Sequence, residues 1–402
     1  MPTFKYKVMN HQGEKSEGIF KASSKNEVLA MIEDNNYYPI EIKETLERGQ
    51  KDVFESFVKV KTKDLYIFCR QFHTMINAGA NISNVLDVLK KQTANKKLKK
   101  CLNEAHDDVQ KGISLSEALG KHNDVFPNLL INMVNTGEVS GNLDIIMSRM
   151  ASHYEKENKI NNQLKSAMVY PMVLAGLSVV VVIFLLTFIM PTFTGMFEGS
   201  GVALPAPTRI VMGLSKFIRT KWYILVVVIG GAVYGMKTYA KTPEGRLSLD
   251  GLKLKLPIIK DTTEKVIVSR FTRTLSTVLA SGVPLVQALE VVRKVVGNKV
   301  AENSLEQIKE KVLKGISLGE AIGDESLFPV MLNSMIKIGE ESGSLDDILD
   351  KTANFYDEEL EASLKRMTTM IEPLMIIVMG VLIGFIVIAM MMPMFEMMNT
   401  VQ

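Results

Sequence analysis

Two stretches of the chain, residues 166–197 and 373–395, carry no charged side chain. An α-helix rises about 1.5 Å per residue and a bilayer's hydrocarbon core is about 30 Å thick, so each run is long enough to span it. A third apolar run, WYILVVVIGGAVYGMKTYA at 222–240, has an uncharged core of only 15 residues. It reads as a short span, with Lys221 and Lys237 snorkelling and Trp222 and Tyr223 at an interface; a buried soluble helix is the other reading. Outside these runs the apolar residues recur at helical spacing. Leu65, Phe68, Phe72, Met75 and Ile76 make one stripe, as an amphipathic helix requires.

The helical pattern occurs twice. FPNLLINMVNTGEVSGNLDIIMSRMASHYEKE (126–157) aligns without a gap on FPVMLNSMIKIGEESGSLDDILDKTANFYDEE (328–359), with 14 of 32 positions identical. KGISL at 111–115 meets KGISL at 314–318, and Phe68, Arg70, Gly79 and Leu86 meet Phe271, Arg273, Gly282 and Leu289. A period near 200 residues signifies a duplicated domain, not a solenoid. Gly79 and Gly282 are placed to stop a helix in the left-handed conformation, and Pro284 to open the next in its first turn. Ser114 with Glu117, and Ser317 with Glu320, spell capping boxes. Phe-Pro at 126–127 and 328–329 opens another helix, which Gly137 and Gly339 are expected to close before a tight Glu-x-Ser-Gly turn. About six helices per copy result.

The last helix of each copy runs directly into an apolar span. Pro171 meets Pro373 and Pro191 meets Pro393 at the same offset, so the spans belong to the repeat. The early-span prolines are expected to kink the helices at membrane entry. Residues 1–45 differ: FKYKV alternates, Gly13 marks a turn, EGIFKA can pair with it, Ser24 can cap a helix and YYPIEIKE reads as a last strand. The expected fold is an all-α integral membrane protein, with two homologous six-helix cytoplasmic bundles, three transmembrane helices and a small N-terminal ββαβ module. The boundaries are 1–45 for the module, 46–61 for a linker, 62–165 for copy one and 166–192 for span one. An extracytoplasmic loop at 193–220, span two at 221–240, copy two at 241–370, span three at 371–394 and a tail at 395–402 follow.

Charge sets the orientation. Segments flanking the spans on the domain side hold 13 lysines and arginines, the 191–221 loop four and the tail after Pro393 none. The domains therefore face the cytoplasm. Arg209, Lys216, Arg219 and Lys221 run against this rule, and a surface-lying amphipathic helix after Pro207 would account for them. A net charge of +3 gives no reason to expect nucleic acid. Cys69 and Cys101 have neither metal spacing nor a disulfide framework and read as packing residues. No Gly-x-x-x-x-Gly-Lys-Ser/Thr loop occurs, the five histidines are scattered, and no nucleophile has a recognisable partner. The chain is expected to be no enzyme and to need no cofactor.

FCRQFHTMINAGANISNVL and FTRTLSTVLASGVPLVQAL, the two KGISL elements, GEVSGNLD and GEESGSLD, LPAPT at 204–208 and IEPLMIIVMG in the last span together resemble the type II secretion F family. The likeness runs over nearly the whole chain. It implies a platform in the cytoplasmic (inner) membrane of a type IV pilus, type II secretion or competence-pilus machine. The partners implied are a hexameric cytoplasmic ATPase, pilin or pseudopilin subunits, other scaffold proteins of the machine and membrane lipid, with homo-oligomers forming the filament seat. Copy one departs from the pattern at Asn81-Ile82, where copy two has Pro284-Leu285. A transporter or channel with duplicated cytoplasmic domains is the alternative. It would require polar residues at mid-span and inverted repeats, whereas these spans carry no mid-depth charge and the repeats are parallel.

Glu138, Ser140, Gly141 and Asp144, with Glu340, Ser342, Gly343 and Asp346, form the candidate constellation. One reading is structural, with acids near a helix N-terminus; the other is a partner contact or weak cation site through Glu138, Asp144, Glu340 and Asp346. Arg70 and Arg273 stand on the otherwise apolar first helix, to pair with those acids or touch the ATPase. Glu372 precedes Pro373 at the membrane boundary, where copy one has Tyr170. A carboxylate there needs water, a cation or protein, and it reads either as a water-facing residue or as a helix–helix contact within the oligomer or with pilin.

Overall fold

A computed structural model describes residues 3–9, 15–22, 24–34, 37–45, 59–198 and 204–400. The chain divides into two units: residues 1–60 with 91–101, and the remainder. In the first unit, β1 (Thr3–Met9), β2 (Lys15–Lys21), α1 (Lys25–Asp34) and β3 (Tyr38–Thr45) form the expected ββαβ order. Both β2 and β3 pair antiparallel with the central β1, with Tyr6 opposite Gly18 on one side and Ile42 on the other. Alternation carries Phe4 and Val8 to one face, where they pack with Ala22, Val28 and Ile32, as the period of two requires. Gly13 and most of the expected linker lie outside the described residues.

After the N-terminal module each copy of the repeat has six helices among the described residues. Copy one comprises α2 (Thr62–Asn77), α3 (Ile82–Gln92), α4 (Lys96–Gln110), α5 (Leu115–Gly120), α6 (Asn128–Ser140) and α7 (Leu143–Phe184). Copy two comprises α11 (Pro257–Leu279), α12 (Leu285–Val295), α13 (Lys299–Leu313), α14 (Leu318–Gly323), α15 (Val330–Ser342) and α16 (Leu345–Thr400). Their cores correspond: Phe68 packs on Phe126 with centroids 5.6 Å apart, and Phe271 on Phe328 at 5.3 Å. Buried Cys69 lies in the first core, and burial pushes its thiol far above the ordinary range, which leaves it inert. Gly79 and Gly282 follow their helices at φ +85° and +83°. Pro284 is not in the first turn of α12 but is its N-cap; Asn81 does the same work differently, its side chain accepting from Asn84 N–H at 2.8 Å.

The structure corrects the role of Gly137 and Gly339. Neither ends a helix. The helices run on to Ser140 and Ser342, and Gly141 and Gly343 close them at φ +73° and +68°. Gly137 and Gly339 are glycines because the next helix crosses there: a Cβ on Gly339 would lie 3.0 Å from Leu345 Cα. Gly339→Ala is therefore expected to lower stability by about 1–3 kcal/mol through overpacking, read as a lower unfolding midpoint of the full chain in detergent. Gly380→Ala, where a Cβ meets nothing within 4 Å, should leave it unchanged.

Among the described residues three helices are long and apolar enough to cross a membrane: Leu143–Phe193, Ala206–Tyr239 and Leu345–Phe395, with mean hydropathies of 2.9, 1.4 and 3.0 over an 18-residue stretch of each. The first and third remain helical through Pro171 and Pro373. The departure from α geometry lies further on, in a π-helical turn over Leu185–Ile189 just before Pro191; at Pro393 α16 continues unbroken. The stretch bounded as an extracytoplasmic loop at 193–220 is mostly helical, including the segment after Pro207 where an amphipathic helix is expected. It holds the end of α8 (Met190–Glu198) and the first half of α9 (Ala206–Tyr239), which changes direction at Lys221 with φ −128°. A further helix, α10 (Pro243–Lys255), precedes copy two. Its buried Asp250 accepts from Lys299 N–H at 2.9 Å and so caps α13.

Candidate functional site

The paired acid turns resolve first. Glu138 on α6 does not meet Asp144; its carboxylate accepts from the Leu115 and Ser116 N–H groups of α5 at 2.5 and 2.9 Å. Glu340 does the same for Leu318 and Gly319 of α14 at 2.7 and 2.9 Å. Ser114 and Ser317 accept from the third residue, each at 3.2 Å. The first three amides of each short helix, which have no partner within the helix, are thereby satisfied by one distant carboxylate and one local hydroxyl. Asp144 and Asp346 stand in the first turns of α7 and α16, where negative charge suits the helix dipole. Among the described residues no three His, Cys, Asp or Glu side chains gather as a metal site.

Glu340→Ala strands two partly buried donors, so a loss of about 2 kcal/mol is expected. Glu341→Ala, on the exposed side of the same turn, should stay within about 0.5 kcal/mol of the parent. Thermal unfolding of the two variants decides between a capping role and a solvated acid.

Arg70 and Arg273 do not reach these turns. Each pairs with an acid on its copy's long helix: Arg70 with Glu155 at 2.9 Å, and Arg273 with Asp357 at 2.7 Å. Glu155 and Asp357 are repeat equivalents, although the sequence reading did not single them out. The environments differ. The Arg70 side chain is 44% exposed and lies over the Tyr66 ring, whereas Arg273 is buried and also meets Asp350 and Asn354 at 3.3 and 3.0 Å.

Arg273 is covered because the copies pack against each other through α7, α11 and α16. Arg270 reaches from copy two to Glu157 of copy one at 2.7 Å, and Arg149 donates to Ser281 at 3.2 Å. Between these contacts lies a polar cavity of about 570 Å³, with Arg149, His153 and Lys156 on one wall and Arg273, Ser276, Asp346 and Asp350 on the other. Burial pushes the imidazole of His153 down to about 4, against the pull of Glu157 and with the help of Arg273 and Arg270.

Towards the membrane the long helices stay together. Ile160 packs with Leu360, Leu364 and Met367, and Gln163 donates to Glu361 at 2.9 Å. Glu372 lies near Tyr170, its own repeat equivalent, close enough for its carboxylate to act on the hydroxyl. Pro171 and Pro373 follow at once.

Duplicated helical domains, each continued by one unbroken helix into an apolar span, define a membrane protein built as a tandem repeat. The family model described as type II secretion system (T2SS), protein F, matches residues 68–191 and 271–393, and its N-terminal domain model matches residues 1–43. The chain belongs to the type II secretion system protein F family. It is 37% identical over 403 residues to the type IV pilus assembly protein PilC of Thermus thermophilus, covering 100% of this chain and 99% of that protein. It is 37% identical over 344 residues to PilC of Pseudomonas aeruginosa (85% and 92% covered). With the type II secretion system protein F of Vibrio cholerae it shares 30% over 402 residues, covering 99% of each.

Proposed function

We propose that this chain is the inner-membrane platform of a type IV pilus or type II secretion-like machine, passing the motion of a cytoplasmic hexameric ATPase to a filament of pilin or pseudopilin subunits. It acts as a scaffold and not as an enzyme. The N-terminus and both helical domains face the cytoplasm, in keeping with the basic residues on that flank, and several copies form the filament seat. The observation that carries the reading is the continuity of α7 and α16 from the repeat cores into the spans. A helix of 42 residues is about 63 Å long at the usual rise. A push on either bundle is delivered to the bilayer without an intervening loop.

Photo-crosslinkers at Val139 and Val330, the most exposed large apolar residues of the two copies (84% and 82%), test the coupling. In cells that assemble the filament, at least one position is expected to capture the ATPase, and a gene deletion to abolish assembly. Filament assembly that survives the deletion would sink the platform reading. Capture of the ATPase at neither position nor anywhere else across the two bundles would sink the coupling.

A further inference from the structure

The first half of α9 makes two hydroxyl-to-carbonyl contacts with other spans. Thr208 donates to the carbonyl of Ala389 on α16, and Ser215 to the carbonyl of Leu186 in the π-helical turn of the first span. Val211 sits between them in a cluster with Leu186, Met190, Ile386 and Ala389. Position 389 is the repeat equivalent of 187, so the two acceptors lie at nearly the same place on two related stems. Those stems pack together just before Pro171 and Pro373, in a cluster that includes Leu164, Ala167, Met367 and Ile371. Leu186 lies 15 residues beyond Pro171 and Ala389 16 beyond Pro373, each about 23 Å along its helix.

Thr208 and Ser215 are seven residues apart, about 10 Å on a helix axis, which matches the 8–10 Å between two packed helices. A helix that reaches both stems at one depth, with its contacts spaced as the stems are, runs across them and not alongside. The break at Lys221 then turns the chain into the second span.

Around this segment the residues sort by chemistry. Thr208, Val211 and Ser215 are buried against the spans. Ile210, Leu214 and Phe217 recur at i, i+4 and i+7 on another face, exposed at 65%, 47% and 37%. Arg209, Lys216 and Arg219 are exposed between these two faces; Arg209 touches only the Leu204 carbonyl at 3.3 Å, and none of the three forms an ion pair among the described residues. Trp222 and Tyr223, both exposed, stand at the bend, as aromatic residues do at a membrane interface.

We propose that residues 206–220 form a crossbar in the plane of the membrane, in the leaflet far from the helical domains. Its apolar stripe enters the acyl chains, and its three basic residues hold anionic lipid headgroups. The occupant of the exposed face is lipid because that face is continuous with the spans' own lipid-facing surface and its charge is complementary to acidic headgroups. This placement also accounts for basic residues on the side where the orientation rule disfavours them.

Trp222 is the only tryptophan, so the full chain in lipid nanodiscs reports its own depth by quenching with brominated lipids. Trp222 is expected to be quenched most by bromines near the headgroup. In a Trp222→Phe background, single tryptophans replacing Ile210, Leu214 or Phe217 should report one common depth. A progression of about 10 Å from 210 to 217 would mean a helix along the membrane normal and overturn the crossbar. Absence of quenching would place the segment outside the lipid, or beneath a second copy, and overturn it equally. Brominated phosphatidylglycerol should quench these probes about twice as strongly as brominated phosphatidylcholine at equal mole fraction. Arg209→Gln, Lys216→Gln and Arg219→Gln together should abolish that preference. Equal quenching by both lipids in the protein with its arginines and lysine intact would remove the headgroup half of the proposal.

Discussion

Arg273→Met is expected to cost about 3–5 kcal/mol, while Arg70→Met at the equivalent position of copy one costs no more than about 1 kcal/mol. Both residues make the same pair, an arginine of the first helix with an acid on the long helix. Only the surroundings differ. In copy one the Arg70 and Glu155 side chains are 44% and 49% exposed, so water solvates either charge when the other is removed. In copy two the Arg273 and Asp357 side chains are 10% and 14% exposed. Methionine fills the space left by Arg273, but Asp357 is then a nearly buried carboxylate whose remaining partner among the described residues is Ser269 at 2.6 Å.

The measurement is the unfolding midpoint of the full chain in detergent for each single variant and for Arg273→Met with Asp357→Leu. Because the large cost comes from a stranded charge and not from the pair's net attraction, the double variant should recover much of the loss. Equal effects of Arg70→Met and Arg273→Met would mean that burial at the repeat interface does not set the energy. A double variant no better than the single one would mean that lost packing, not lost pairing, dominates.

The duplication and the spans were legible because they are written in local patterns: identity at a fixed offset and long uncharged runs. The N-terminal module was legible through alternation in FKYKV and YYPIEIKE. The residue partnerships were not. Glu138 lies 23 residues from Leu115, and no spacing rule links a helix C-terminus to the amides of another helix that far upstream. From the sequence Arg70 and Arg273 are expected to pair with the acid turns or to touch the ATPase, yet they meet Glu155 and Asp357. The repeat does carry that signal, since both positions are acidic at the same offset.

On sequence Gly137 and Gly339 read as terminators, the usual role of glycine near a helix end. Their cause is the crossing of Leu143 and Leu345 overhead, a tertiary fact with no local signature. The four basic residues after Pro207 suggest a surface-lying amphipathic helix, and the segment is helical from Ala206. What organises it is two hydroxyls, Thr208 and Ser215, directed at carbonyls on spans far away in sequence.

His153 makes the interface between the copies sensitive to acid. Its imidazole is buried among Tyr154 and Glu157 on its own helix and faces Arg270, Arg273, Asp346 and Asp350 from copy two. Burial holds it near 4, whereas an imidazole in the unfolded chain titrates near 6.5. Between those values the unfolded chain binds a proton that the folded chain does not, so stability falls as the pH is lowered from about 6.5 to about 4 and this contribution levels off below. The accumulated loss is about 3 kcal/mol at roughly 1.4 kcal/mol per unit. Glu290, held near 2 by Arg293 and Lys309, loses its contribution only below about 4.3, so the two windows separate. Unfolding midpoints measured from pH 7.5 to 4.5 should therefore decline steeply for the parent. For His153→Phe, which keeps a ring against Tyr154, they should decline far less, with the variant overtaking the parent near pH 5. Parallel curves for the two proteins across that range would show that His153 takes up its proton without leaving the fold.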